Sequence, residues 1–182
     1  MVKFWILKDD INNDILEAEI SSSYHALDLM KESTGVEYFK INLESYEEDG
    51  SFYQKLKSER GFIYDDIVDW KRTDSPEFEK QAKIFFEEHL HEDDEVRFII
   101  AGSGYFDVRN ISDGWIRIQV FPGDLLIIPA GIYHRFSLDE SGYVKCIRLF
   151  SGDPKWTPIS RPADENIARQ NYLQAMSIKF EK

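Results

Sequence analysis

The sequence predicts a mainly β fold of the α+β class, a barrel or sandwich of short strands with helices packed around it. Three observations predict it. From about residue 89 to residue 150, short apolar or alternating runs recur between turn residues, as a strand-built barrel requires. Helical spacing of apolar residues falls outside that stretch, toward the two ends of the chain. Phe and Tyr are plentiful and aromatics reach 14% of the 182 residues, which suits a β-rich core.

Taken in order, Phe4-Trp5-Ile6-Leu7 within Lys3 to Lys8 reads as a strand. Ser21 to Ser23 offer N-caps for a helix through Tyr24, Leu27, Met30 and Lys31, and Gly35 is placed to stop it. Val36 to Leu43 has strand character, and the acidic stretch from Glu47 to Gly50 is a loop. From Ser51 to Trp70 the apolar positions Phe52, Leu56, Phe62, Ile63, Ile67 and Trp70 fit short helices broken near Gly61. Ser75-Pro76-Glu77 then opens a helix: Ser caps it, Pro takes the first turn, and Glu77 and Glu79 face the positive end of its dipole. Phe78, Ala82 and Phe85 form its apolar stripe.

Beyond His89 the strands follow one another. Gly102-Ser103-Gly104 turns into Tyr105 to Arg109, Asn110 to Gly114 turns again, and Trp115 to Val120 alternates. Pro122-Gly123-Asp124 leads into Leu125 to Pro129, an apolar run that reads as buried on both faces. Ala130-Gly131 bends the chain before Tyr133 to Phe136, and Tyr143 to Phe150 is a further strand with Cys146, Arg148 and Phe150 of one parity. An irregular wrap through Pro154, Pro158 and Pro162 precedes a helix expected over Asp164 to Met176. The chain reads as one domain over 1–182. Residues 1–88 form a helix-and-strand part, 89–150 the barrel core, and 151–182 the C-terminal wrap and helix.

The formal net charge of −12 argues against a nucleic-acid partner, because such binding rests on cations that neutralise phosphates. No segment approaches the length of a membrane span, and MVKFWILKDD carries too short an apolar run for a signal peptide, so a cytoplasmic protein is expected. At this size the nucleus is open to it as well. The single cysteine, Cys146, excludes an intramolecular disulfide and reads as a small core residue.

The chemistry concentrates at His89-Leu90-His91-Glu92-Asp93-Asp94-Glu95. On an extended strand, period two puts His89 and His91 on one face and carries Glu95 and Arg97 to the same side. Two imidazoles and a carboxylate suit a divalent first-row metal, and His134 is the candidate for one more ligand. Three of the four histidines fall in these two segments, whereas His25 lies in an expected helix as an ordinary structural or surface residue. Arg97 and Arg148 are candidates to reach the same interior, set against ordinary pairing with carboxylates.

The spacing His89-x-His91-x3-Glu95-x6-Gly102 resembles the first motif of the cupin superfamily, and Gly123-x5-Pro129-x-Gly131-x2-His134 resembles the second. Leu138 stands where the second motif usually ends in asparagine. Over nearly its whole length the chain is similar to the acireductone dioxygenase family. The strings that carry this are Phe85-Phe86-Glu87-Glu88-His89-Leu90-His91, Gly102 to Arg109, Pro129 to Phe136, and Arg148-Leu149-Phe150 with Pro154-Lys155-Trp156. The resemblance implies a cupin-type double-stranded β-helix, or jelly-roll, barrel with N-terminal and C-terminal helices around it. It implies one Fe(II) or Ni(II) ion per chain on His89, His91, Glu95 and His134, with Arg97 and Arg148 lining the substrate pocket. Phe85, Phe136 and Trp156 match the family's hydrophobic wall, with plain core packing as the alternative.

The implied substrates are the acireductone 1,2-dihydroxy-3-keto-5-methylthiopentene and dioxygen, in methionine salvage. The implied products are 2-keto-4-methylthiobutanoate and formate with Fe(II), and 3-methylthiopropanoate, formate and carbon monoxide with Ni(II). A monomer is expected. Two other readings stay open on sequence: another metal-dependent cupin enzyme, such as a sugar-phosphate isomerase or a different dioxygenase, and a non-catalytic cupin that binds a small ligand or a protein.

Overall fold

The computed structural model describes residues 2–7, 24–154 and 157–180. In chain order the elements are β1 (Lys3–Leu7), α1 (Tyr24–Thr34), β2 (Glu37–Lys40), α2 (Phe52–Glu59), β3 (Tyr64–Lys71), α3 (Pro76–Phe86), β4 (His89–Leu90) and β5 (Glu95–Gly102). They continue as β6 (Gly104–Arg109), β7 (Trp115–Val120), β8 (Asp124–Ile128), β9 (His134–Leu138), β10 (Tyr143–Phe150), β11 (Ile159–Ser160) and α4 (Ile167–Phe180).

Six strands form one antiparallel sheet in the order β1-β7-β6-β9-β4-β11, and five form the other in the order β2-β8-β5-β10-β3. Apart from the β6–β7 hairpin, the chain from β4 to β10 changes sheet at every connection. That winding is the two-sheet barrel expected of a jelly roll. One shared core fills it: Phe106, Val108, Ile116 and Ile118 from the first sheet pack with Ile99, Leu126, Ile128 and Cys146 from the second. A second cluster lies outside the five-stranded sheet, where Val96, Phe98, Leu125, Ile127, Ile147 and Leu149 pack against Tyr53 and Leu56 of α2. Alternation therefore sends odd residues of β8 out to α2 and even ones into the barrel, which is why the whole run is apolar. Each such side chain contributes roughly 1.5–3 kcal/mol by leaving water.

The helices are held as their caps predict. Ser75 accepts the Phe78 amide at the start of α3, with Pro76 in the first turn. Its Phe78, Ala82 and Phe85 stripe packs on the barrel core. Gly35, at φ +78°, ends α1. The Ser21 to Ser23 caps lie outside the described residues. Gly131, at φ +80°, is required by packing as well as backbone, since a Cβ there would meet the Ala168 carbonyl oxygen of α4.

Three expectations need correction. Residues 64–71 form strand β3 and not a helix, paired along its whole length with β10. Ile63, Ile67 and Trp70 sit at helical spacing, but Ile67 is 59% exposed and Asp66 faces Arg148 instead. The inward polar residue and outward apolar one masked the period of two. The last helix starts later than Asp164, at Ile167, because Asn166 supplies the cap by accepting the Ala168 and Arg169 amides. His89 and Glu95 do not share one strand: the chain leaves the first sheet after Leu90, bends, and enters the second at Glu95. Among the described residues no helix is long and apolar enough to cross a membrane.

Candidate metal centre

His89 on β4 and His134 on β9 are register partners. His91 follows the end of β4, where its carbonyl accepts the Gly131 amide at 2.9 Å, so the two histidine-bearing segments are tied by backbone as well. The ring centroids are 5.0 Å apart for His89 and His91, 4.5 Å for His89 and His134, and 5.3 Å for His91 and His134. One nitrogen from each ring lies within 4.8 Å of the others, a spacing that could hold a metal ion.

The backbone orients two of these rings. His89 Nδ1 lies 2.6 Å from the Glu87 carbonyl oxygen and His134 Nδ1 lies 3.0 Å from that of Ile132. A carbonyl only accepts, so in both rings Nδ1 carries a proton and Nε2 is the nitrogen left to face a metal. Burial, joined by repulsion from His134, pushes His89 down to about 4, which keeps its ring neutral at physiological pH. Among the described residues His134 Nε2 is buried without a hydrogen-bond partner. Such an atom is costly unless something else binds it, and a metal ion is what two inward-facing imidazole nitrogens fit.

Glu95 reaches the group from the opposite sheet. Its Oε2 lies 3.1 Å from His91 Nε2 and 3.4 Å from His134 Nε2. Burial opposes its charge, but Arg97 and His134 outweigh that and hold the carboxyl well below the usual range. Arg97 Nη2 is 3.1 Å from the same oxygen, while Nη1 donates to the Val96 carbonyl. The parity argument thus named a carboxylate that reaches the three rings, although the strand it assumed is broken.

A cavity of about 410 Å³ opens over these residues. His89, His91, Glu95, Arg97, His134, Phe85, Phe136 and Arg148 all line it, so the sequence-predicted residues within the described chain converge on one space. Arg148 also pairs with Asp66, through Nε to Oδ1 at 2.7 Å and Nη2 to Oδ2 at 2.8 Å. Each arginine therefore faces the cavity and meets a carboxylate at once. Trp156 lies outside the described residues.

The apolar wall is broader than the sequence reading. Trp70 makes an edge contact with Phe85 at 4.9 Å, and Phe136 packs on Phe106 at 4.7 Å. Val68, Trp70, Phe106 and Cys146 line the cavity and were not singled out for it. Val68 and Trp70 were hidden by the helical reading of β3, although their parity with Asp66 was available once a strand was drawn. Burial pushes the Cys146 thiol up, which suits a packed residue and not a nucleophile.

A profile described as the ARD/ARD' family matches residues 3–158. An acireductone dioxygenase from Ixodes scapularis is 48% identical over 181 residues, covering 97% of each chain. One from Drosophila melanogaster is 44% identical over 181 residues, covering 99% of this chain and 97% of its own. Among solved structures, an acireductone dioxygenase from Bacillus anthracis with a cadmium ion in its active centre superimposes with a TM-score of 0.70 at 26% identity, covering 87% of this chain and 98% of its own. Matched from its first strand to its C-terminal wrap, the chain belongs to the ARD/ARD' family.

Proposed function

We infer that the protein is an acireductone dioxygenase of methionine salvage, oxidising 1,2-dihydroxy-3-keto-5-methylthiopentene with dioxygen. The observation that carries this reading is the convergence of three imidazoles and Glu95 with two arginines in one aromatic-walled cavity. Family membership and the metal-bound relative support it.

His89, His91, His134 and Glu95 would hold one Fe(II) or Ni(II) ion. When bound, the ion supplies Lewis acidity toward the two oxygens of the ene-diol and favours their ionised form. The chain supplies the rest. The Glu87 and Ile132 carbonyls hold the Nδ1 protons of His89 and His134, so neither ring can turn its lone pair away. Arg97 and Arg148 offer cationic donors to the substrate oxygens, which an acidic protein otherwise repels. Trp70, Phe85, Phe106 and Phe136 exclude water and receive the methylthio tail, since thioethers pack well on aromatic rings.

The four proposed ligands and both arginines come from one chain, and we read the protein as a monomer. The net charge of −12 supports a protein that does not bind nucleic acid. We place it in the cytoplasm, with the nucleus open to a chain of 182 residues. The test is reconstitution of metal-free protein with Fe(II) or Ni(II) separately, followed by product analysis in air. Fe(II) protein is expected to yield formate and 2-keto-4-methylthiobutanoate, and Ni(II) protein carbon monoxide, formate and 3-methylthiopropanoate. Folded, metal-loaded protein that leaves acireductone unconsumed beyond its spontaneous oxidation would sink the reading.

A further inference from the structure

Across the five-stranded sheet, β3, β10 and β5 place three charged residues in one transverse row. Asp66 is the register partner of Arg148, and Arg148 is the register partner of Arg97. Glu95, at the head of β5, closes the row through its contact with Arg97. Two like charges directly opposite one another destabilise a strand pair, so each guanidinium needs an anion close by. Arg97 has Glu95. Arg148 has Asp66, which does not line the cavity and stands behind the arginine.

We propose that Asp66 is a positioning residue for substrate binding, acting through Arg148. Its carboxylate grips Nε and Nη2 together, and a bidentate pair fixes the plane of the guanidinium as well as its place. With that edge held, the direction of Nη1 is set too. Asp66 thereby aims a cation at the anionic ene-diol oxygens and keeps Arg148 from swinging toward other carboxylates around the cavity, among them Asp93 and Asp94. The assignment rests on the dioxygenase reading. Because the arginine would meet the substrate before and during reaction alike, the loss should fall on binding more than on turnover.

The experiment compares wild type, Asp66→Asn and Asp66→Glu as Fe(II) proteins in air, and as Ni(II) proteins titrated with acireductone under anaerobic conditions. Asparagine turns an N–H donor toward the guanidinium and breaks the two-point grip, whereas glutamate keeps the carboxylate. Asp66→Asn is expected to raise both KM and the anaerobic Kd about tenfold, the scale of one charge-assisted hydrogen bond, with kcat changed by less than about threefold. Asp66→Glu should recover most of that loss, and metal content should equal wild type in both variants. If Asp66→Asn does not fold, Asp66→Ser makes the same comparison. A KM and Kd within about twofold of wild type, or a fall in kcat with KM unmoved, would overturn the assignment. Wild-type protein that neither binds nor consumes acireductone would instead overturn the functional reading, and this assignment with it.

Discussion

His89 and His134, separated by much of the barrel in sequence, are register partners on β4 and β9, with ring centroids 4.5 Å apart. The pairing is what makes one site from two motifs. His91 is the most exposed of the three rings, with 17% of its side chain accessible, and so the least committed to packing. His91→Ala is therefore expected to fold and to lose metal and turnover together. The loss should exceed the ~10–100-fold that follows removal of a partner outside the ligand set. Elemental analysis and formate release on the same sample measure both, and turnover with verified absence of metal would contradict the ligand assignment.

Metal addition should stabilise the protein, because His134 Nε2 is buried without a hydrogen-bond partner among the described residues. At a free metal concentration of about a hundred times Kd, binding to the folded state adds ~2.7 kcal/mol. For a chain of this size that corresponds to a rise of roughly 5–10 °C in Tm. Thermal unfolding with and without Ni(II), and after chelation, reads the shift. His91→Ala should show little of it, which separates binding at this site from stray coordination at the acidic surface.

Much of this centre was legible in the sequence, for unequal reasons. His89, His91 and His134 stood out because histidine is rare in this chain and their spacing matched a known motif. Glu95 was named through a period-two argument that the structure does not honour, since residues 92–94 lie outside both flanking strands as the chain changes sheet. The β3 wall was hidden more thoroughly. Asp66 points inward because a cross-strand arginine needs it, and no local pattern reveals a partner 82 residues away. β11, only two residues long, has no periodicity to read.

Acid sensitivity should trace in part to Glu37. Burial opposes its charge, but Arg60, through two hydrogen bonds of 3.0 and 2.9 Å, and Lys31 at 3.1 Å outweigh that and lower its pKa below 4.5. A carboxyl with a lowered folded-state pKa contributes stability that is fully present above its unfolded value. That stability is lost as pH falls through the folded value. Glu37→Gln should thus cost ~1 kcal/mol at pH 7 and nearly nothing once wild-type Glu37 is itself protonated. Urea unfolding at pH 7 and at the acid limit of the folded protein tests this. A cost that stays constant between the two would assign the effect to packing and not to charge.

Gly104 offers a way to probe the apolar wall without removing any of it. A Cβ at this position would lie 2.6 Å from Phe136 Cζ and 2.9 Å from the Ser137 carbonyl oxygen. The backbone oxygen belongs to the β6–β9 ladder and resists displacement, so the Phe136 ring must give way. Trp70 and Phe106 already pack around that ring, at 6.3 and 4.7 Å, which leaves the cavity as its outlet. Gly104→Ala is expected to cost ~1–3 kcal/mol as overpacking. It should also raise KM for the methylthio substrate more than for an acireductone with a shortened tail, since a displaced ring narrows the space the tail enters. Phe136→Leu in the same background relieves the clash and should restore part of the stability. Equal KM changes for long and short substrates would show that Phe136 does not meet the tail.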